Sequence, residues 1–344
     1  MDWTVAIGVD THKDEHVAVA CDRLGRQLDS CAVPTTSAGY LALWRWAQSL
    51  GEPALAVEGA GSYGAGLVHF LRAAGADVYE CARPRRRERG RGKSDLIDSA
   101  LAARRLVAGE GLSRPRGGGV REDLRLLLLE RRGLVRAETA LLNQLRAVVV
   151  AAPPRLRERL DGLSRGRLLA GCARLSARGD HERVLVGVLR RLGRRAHSLA
   201  QELQLVDREL EQLVESLVPE LLRECGVGTL SAAQLVVSSG DPARMRSEAA
   251  FAALAGTSPV DASSGRQRRH RLNRGGDRQL NRALHVISLA RVRHHAETGG
   301  YYHRLLDSGK SAREARRCVK RALARYLYRR LCELPQLQET PGRA

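Results

Sequence analysis

The first 110 residues alternate short apolar runs with amphipathic stretches. Val5–Val9 is a continuous apolar run that stops at Asp10, and Glu15–Cys21 alternates with the two-residue period of a half-buried strand. Gln27–Val33 is a third strand candidate, reached through the turn Asp22-Arg23-Leu24-Gly25. Connections of hairpin length predict that these three segments form an antiparallel meander. Ser37–Leu50 then reads as a helix, with Leu41, Leu43, Trp44 and Trp46 as its apolar residues. Ala54–Val57 reads as a short buried strand, Ser62–Ala74 as a second helix, Asp77–Cys81 as a fifth strand and Asp95–Val107 as a third helix. The order is βββαβαβα, and helices between the later strands imply parallel crossovers.

Beyond residue 112 the period changes from two to helical. Leu124, Leu128, Val135, Leu142, Leu145 and Val149 fall on one stripe that stops before Pro153-Pro154. A second stripe, Leu192, Ala196, Leu199, Leu203, Val206, Leu210, Leu213 and Leu217, alternates spacings of four and three, a heptad seam of nearly four repeats. Two arrangements satisfy it: two long helices packed on each other within one chain, or a dimerisation arm pairing between chains. From Cys225 the character changes again. CGVGTLSAAQLV is a glycine turn opening a helix, of the kind that presents backbone N–H groups to phosphate in helix-hairpin-helix modules. A polar stretch, TSPVDASSGRQRRHRLNRGG, separates it from a helix over Asp277–His294 and a last basic helix over Ser311–Cys332. The expected domains are 1–112, 113–222 as a coiled-coil helical segment, and a mainly helical 223–334, with 335–344 as a disordered tail.

Charge narrows the function. The 344 residues carry 58 Lys and Arg against 38 Asp and Glu, a formal net charge of +20. Such an excess suits a protein that lies along a polyphosphate backbone better than an enzyme acting on a small anion. Aromatic residues are only 3%, too few for a base-stacking platform. No apolar run approaches the roughly 20 residues of a membrane span. The start MDWTVAIGVD lacks the basic region of a signal peptide, so a cytoplasmic location is expected. The seven cysteines are scattered without a CxxC pair, which disfavours a zinc ribbon and a disulfide framework and suits reduced thiols.

Four carboxylates stand out by placement. Asp10 and Glu58 end the first and fourth strands, so parallel neighbours would bring them to one sheet edge. Asp95 and Asp98, in KSDLIDSA, sit three apart in the first turns of a helix and share a face. Hard oxygen donors of this kind suit Mg²⁺, and two such ions can stabilise both oxygens of an in-line phosphoryl displacement. Acids also favour helix N-termini for electrostatic reasons alone. A second cluster is Ser263-Ser264-Gly265, flanked by Arg266, Arg268, Arg269, His270, Arg271 and Arg274. It reads either as a nucleophile among charge-neutralising guanidiniums or as a solvated loop that grips phosphate. A third is the run Arg83, Arg85, Arg86, Arg87, Arg89, Arg91 and Lys93, just before the third acidic motif and expected to contact nucleic acid.

A mixed five-stranded sheet of this order is the ribonuclease-H-like arrangement, which RuvC-type resolvases and many transposases share. Six motifs extend the likeness: GVDTHK at 8–13, VEGAGSYG at 57–64, KSDLIDSA at 93–100, GVGTLSAAQLV at 226–236, ALAGTSPVDASSG at 253–265 and RGGDRQLNRAL at 274–284. In this order they resemble the DEDD transposases of the insertion-sequence family numbered one hundred and ten, over nearly the whole chain. The resemblance implies a RuvC-like N-terminal domain whose Asp10, Glu58, Asp95 and Asp98 bind Mg²⁺. It implies a C-terminal transposase domain in which Ser264, with Ser263 as competitor, attacks DNA and becomes a phosphoserine. It also implies donor and target DNA, a structured noncoding bridge RNA and a homo-oligomer, a dimer or tetramer, as partners. Ser94 stands where threonine is common before the first acid of the third motif, which keeps a hydroxyl able to cap the helix. The competing readings are a hydrolytic junction nuclease and a non-catalytic nucleic-acid-binding protein, both compatible with the same charge.

Overall fold

The computed structural model describes residues 3–81, 94–115, 118–242, 245–261, 270–271, 273 and 275–338. The chain divides into two compact units, 1–118 and 119–344.

The first unit is built on a mixed sheet. Strands β1 (Val5–Thr11), β2 (Glu15–Cys21) and β3 (Gln27–Pro34) form an antiparallel meander. Helix α1 (Ser37–Ser49) leads to β4 (Pro53–Glu58), α2 (Ala65–Ala73), β5 (Asp77–Cys81) and α3 (Asp95–Ala108). The β4 strand runs parallel to β1, and β5 parallel to β4. The expected order of elements is therefore present, with one addition. A two-residue strand β6 (Leu112–Ser113) joins β5 antiparallel, so the described sheet has six strands in the order β3-β2-β1-β4-β5-β6. A pair of residues carries no periodicity, which is why no strand was expected there. The second helix begins three residues later than its apolar pattern suggests. Residues 59–64 are first folded into a turn, in which Ser62 and Gly64 donate backbone N–H bonds to the Gly59 carbonyl.

Alternation along the strands gives each face its own partner. Val5, Ile7, Val9, Leu55 and Val57 pack with Leu43, Ala47, Leu67 and Leu71 of α1 and α2. Ala6, Ala54 and Ala56 face the other way, against Ala102 and Leu106 of α3. Small residues dominate that second face because α3 lies very close to it. A Cβ on Gly8 would come within 1.9 Å of the Ser99 carbonyl oxygen and 2.3 Å of the Ala103 nitrogen. The Ser99 hydroxyl uses this proximity: it accepts the Asp10 N–H at 3.2 Å and lies 2.9 Å from the Val17 carbonyl and 2.7 Å from that of Asp95.

The second unit is helical. Helices α4 (Val120–Val150) and α7 (Asp180–Leu217) lie against each other, and α5 (Pro154–Leu160) and α6 (Arg165–Ala173) close one end. The two long helices are antiparallel. Leu145 and Val149 share a core with Leu189 and Leu192, whereas Leu124 and Leu128 share another with Leu210 and Val214. An ion pair from Arg131 to Asp207 ties them between these cores. The heptad seam thus finds a partner within its own chain. It is not uniformly buried, because Leu199 and Leu203 are only half-covered between the two cores.

The second of those cores reaches across residue 222. It includes Leu235 of α9 (Thr229–Ser239), Phe251 of α10 (Glu248–Leu254), Leu284 of α11 (Arg278–His294) and Leu327 of α13 (Ala312–Cys332). A short helix α8 (Pro219–Leu222) enters the glycine turn before α9, and α12 (Ala296–Asp307) precedes α13. In the turn, Gly226 has φ of +81°, and a Cβ there would meet the Ala290 side chain at 2.9 Å. The left-handed backbone and the close approach of α11 together account for the glycine. Two-residue strands β7 (Val260–Asp261) and β8 (His270–Arg271) pair antiparallel. The C-terminal end differs from the disordered tail expected from Pro335 onward. Pro335–Leu337 forms a 3₁₀ turn with Leu337 buried, and its carbonyl accepts a bond from Arg121 at 2.9 Å. Leu334 and Leu337 supply the apolar anchors that local polarity obscured. No helix among the described residues is long and apolar enough to cross a membrane.

Two outcomes follow for stability. Gly8→Ala should destabilise the first unit by about 3 kcal/mol, since the clash is with backbone atoms that no rotamer can relieve. Gly61→Ala, whose Cβ would meet nothing within 4 Å, should be near neutral in the same urea titration. His16 is fully buried, stacks on Tyr40, and has its pKa lowered by burial from 6.5. The unfolded chain therefore takes up a proton that the folded one resists, and stability should fall as pH drops below 6.5. His16→Phe should flatten that decline between about pH 6.5 and 5 when melting temperature is followed against pH.

Candidate metal centre

The register of the sheet sets the first two carboxylates side by side. Parallel pairing runs through Val9 and Val57, and one further step brings Asp10 beside Glu58. Asp10 follows Ala6 and Gly8 on the face toward α3, and Glu58 follows Ala54 and Ala56 on the same face. The Thr11 hydroxyl donates to the Glu58 carbonyl at 2.7 Å and ties the two strand ends together. Both carboxylate residues are buried, at 8% and 6% exposure.

The opposite wall is the first turn of α3. Ser94 caps it, accepting the Ile97 N–H at 3.3 Å, so the serine in the expected threonine position does serve as the helix cap. Asp95 and Asp98 follow in that turn. Asp98 points inward at 5% exposure, whereas the Asp95 side chain is about half-exposed. The helix is held in this position by Ser99, one residue beyond Asp98, through its contacts with β1 and β2.

A fifth residue joins them. His12 Nε2 lies 3.4 Å from Asp10 Oδ2 and 3.3 Å from Asp95 Oδ1, bridging strand end and helix. Donor atoms of Asp10, His12 and Asp95 all fall within 4.8 Å of one another. His12 was not among the candidates drawn from the sequence. His12 stands two residues beyond Asp10 but one past the end of β1, where strand alternation no longer fixes a side chain's direction. It was obscured because the apolar run stops at Asp10, although the strand continues to Thr11.

Electrostatics mark the arrangement as costly for the protein alone. The Asp10 pKa is raised from 3.8, first by burial and then by the negative charges of Asp95 and Asp98. His12 and the Thr11 N–H pull it the other way. Three acids thus sense one another at this point, and Glu58 is buried on the same face. The donor set is mainly hard oxygen with one imidazole, which suits a divalent cation that retains water in its shell.

Arg83, Arg85, Arg86, Arg87, Arg89, Arg91 and Lys93 fall outside the described residues, as do Ser263, Ser264, Arg266, Arg268, Arg269 and Arg274. His270 and Arg271 form the backbone of β8.

Replacing Asp10 separates a costly functional charge from a structural one. In cation-free buffer Asp10→Asn should raise the melting temperature, by about 4 °C for each ~1 kcal/mol of relieved desolvation. Added Mg²⁺ or Mn²⁺ should stabilise the wild type and leave the variant unmoved. A variant that melts lower without cation would show the carboxylate to be structural.

Comparison with known families bears on both units. A family model described as DEDD transposase of the IS110 type matches residues 7–154, spanning all four acidic positions and α4. A second, described as transposase of the IS116/IS110/IS902 family, matches residues 220–303, from α8 into α12. Curated proteins yield no match. The first match covers the sheet that carries the acids and runs on through α4, and the second covers helices α9 and α11 of the second unit. The chain belongs to the IS110-type family of DEDD transposases.

Proposed function

We propose that this transposase cleaves and rejoins DNA with Mg²⁺ held by Asp10, Glu58, Asp95 and Asp98, using Ser264 as the nucleophile and a structured RNA to choose its sites. The observation that carries the reading is the juxtaposition of Asp10 and Asp95 across β1 and α3, with Glu58 and Asp98 buried on the same sheet face. A divalent ion at this position would neutralise charge on the phosphate and on the oxygens that enter and leave. His12 would help hold the ion or orient the two acids that flank it. The fold supports the same reading: three antiparallel strands followed by two parallel ones, with helices on both faces, is the order of a ribonuclease-H-like domain.

In the serine step, Ser264 Oγ bonds to phosphorus and the bond from phosphorus to the DNA 3′-oxygen breaks. The serine loses its proton to solvent, and the leaving oxygen gains one to become a free 3′-hydroxyl. The product is a 5′-phosphoserine, which a second strand's 3′-hydroxyl can attack to restore a phosphodiester and free the serine. A serine hydroxyl is a weak nucleophile at neutral pH, so the step requires activation. SSGRQRRH offers no acid and no histidine at an obvious activating spacing, so on this reading activation would come from the metal ions held by the four acids. Guidance by RNA and assembly as a homo-oligomer rest on the family resemblance, and the net charge of +20 accommodates a second polyanion.

The test is a denaturing gel of the protein with labelled DNA, RNA from the flanking noncoding segment, and Mg²⁺. A covalent adduct should form, and Ser264→Ala should abolish it. Asp10→Asn, Glu58→Gln, Asp95→Asn or Asp98→Asn should each lower adduct yield at least about 100-fold, with DNA binding retained. Loss of the adduct in Ser263→Ala but not in Ser264→Ala would transfer the role to the neighbouring serine. Cleavage without any adduct would identify a hydrolytic nuclease instead.

A further inference from the structure

Helix α13 carries a row of cations that acids among the described residues neutralise only in part. Arg317, Arg321 and Arg325 repeat at a spacing of four and share one side of the helix, with Lys320 beside them. Like charges at this spacing weaken an isolated helix. Of the row, Arg325 is paired with Glu248 at 2.6 Å, and Arg317 reaches Glu314 only at 3.8 Å. Arg321 donates to the neutral Ser258 hydroxyl at 2.6 Å, and Lys320 to the neutral Asn281 side chain at 2.8 Å.

These residues line a cleft of about 850 Å³ within the second unit. Its floor is α13, its far wall is Gly256–Pro259, and Lys310 from the turn before α13 closes one end. A second depression of about 530 Å³ adjoins it through Asn273 and adds Arg278, Arg282 and His285 of α11. The cations repel one another: Lys320 has its pKa lowered by burial and then by Arg317, and His285 has its pKa lowered by burial, Lys320 and Arg316. Glu314 also lines the cleft, but Lys310, Arg317, Lys320, Arg321 and Arg325 outnumber it, and a cleft with such an excess of cations is complementary to a chain of phosphates. The chain enters the segment bearing Ser264 at Pro259 and leaves it by Asn273, and both residues line the cleft.

We propose that this cleft is a DNA-binding site in which Lys320 and Arg321 contact backbone phosphates of the strand presented to the serine. The choice of DNA over RNA rests on the serine reading above, since the cleft lies at the two ends of that segment. Arg325 has its own acid and is expected to contribute less.

The experiment measures binding of labelled duplex and single-stranded DNA to the full chain over a range of salt concentrations, with RNA of the same sequence in parallel. Each lost phosphate contact should reduce the log–log slope by about 0.7–0.9, so Lys320→Gln combined with Arg321→Gln should reduce it by about 1.4–1.8. Arg183→Gln with Arg208→Gln on α7 makes the same charge change elsewhere and should leave the slope for DNA unchanged. Melting temperature checks that the loss of the Ser258 bond has not unfolded the unit. An unchanged slope in a folded double variant, or an equal drop in the α7 control, would overturn the proposal. A drop for RNA with none for DNA would also overturn it and assign the cleft to the guide. Failure of the serine reading is separable. An adduct at Ser264 with an unchanged slope removes the cleft alone, whereas a reduced slope for DNA without any adduct upholds the cleft as a DNA site and removes the serine chemistry.

Discussion

The N-terminal unit depends on how closely α3 can lie against β1. A strand with a side chain at position 8 would hold the helix away, and with it Asp95 and Asp98. With glycine there, the Ser99 hydroxyl comes close enough to bond the β1 backbone at Asp10 itself. One contact therefore sets both the packing of the sheet's second face and the separation of the acids. The alanines at 6, 54 and 56 belong to the same constraint, because larger residues would reopen the gap. Most of the larger strand side chains, among them Ile7, Val9, Leu55 and Val57, lie on the other face, against α1 and α2.

Against that rigid frame stands an electrostatic cost. Buried carboxylates facing one another oppose folding unless something positive joins them. His12 supplies part of the compensation from within the chain. The sheet can carry the remainder because its hydrophobic face is intact and independent of the acids. The division of labour is spatial: both faces are apolar through the middle of the sheet, and the acids gather where β1 and β4 end, at the edge of the α3 face.

Much of the N-terminal fold was legible from period alone. The meander, the two crossovers and the helix opening at Asp95 follow from runs of five to fourteen residues, each long enough to show its period. The acids were legible too, since Asp10 and Glu58 close apolar runs and Asp95 and Asp98 share a helical turn. What escaped were features with too few residues for a period, such as β6, or with long-range causes, such as the burial of Leu337 near the C-terminus. His12 escaped because a histidine just past an apolar run looks like part of a turn. The heptad seam shows a different limit. Its spacing announced a long helix and a partner, but antiparallel pairing with α4 emerges only from the separate cores at the two ends.

The acidic group has one dry side and one wet side. Asp10 is walled in by sheet and helix, while His12 and Asp95 are about half-open to solvent. An ion entering such a group would shed its water in stages, first to the mobile outer ligands and last to the fixed inner one. The exposed rim side chains can reorient on timescales of picoseconds to nanoseconds, with no opening of the sheet required. Enclosure and access thus belong to different residues: Asp10 is fixed between sheet and helix, and His12 and Asp95 form the open rim.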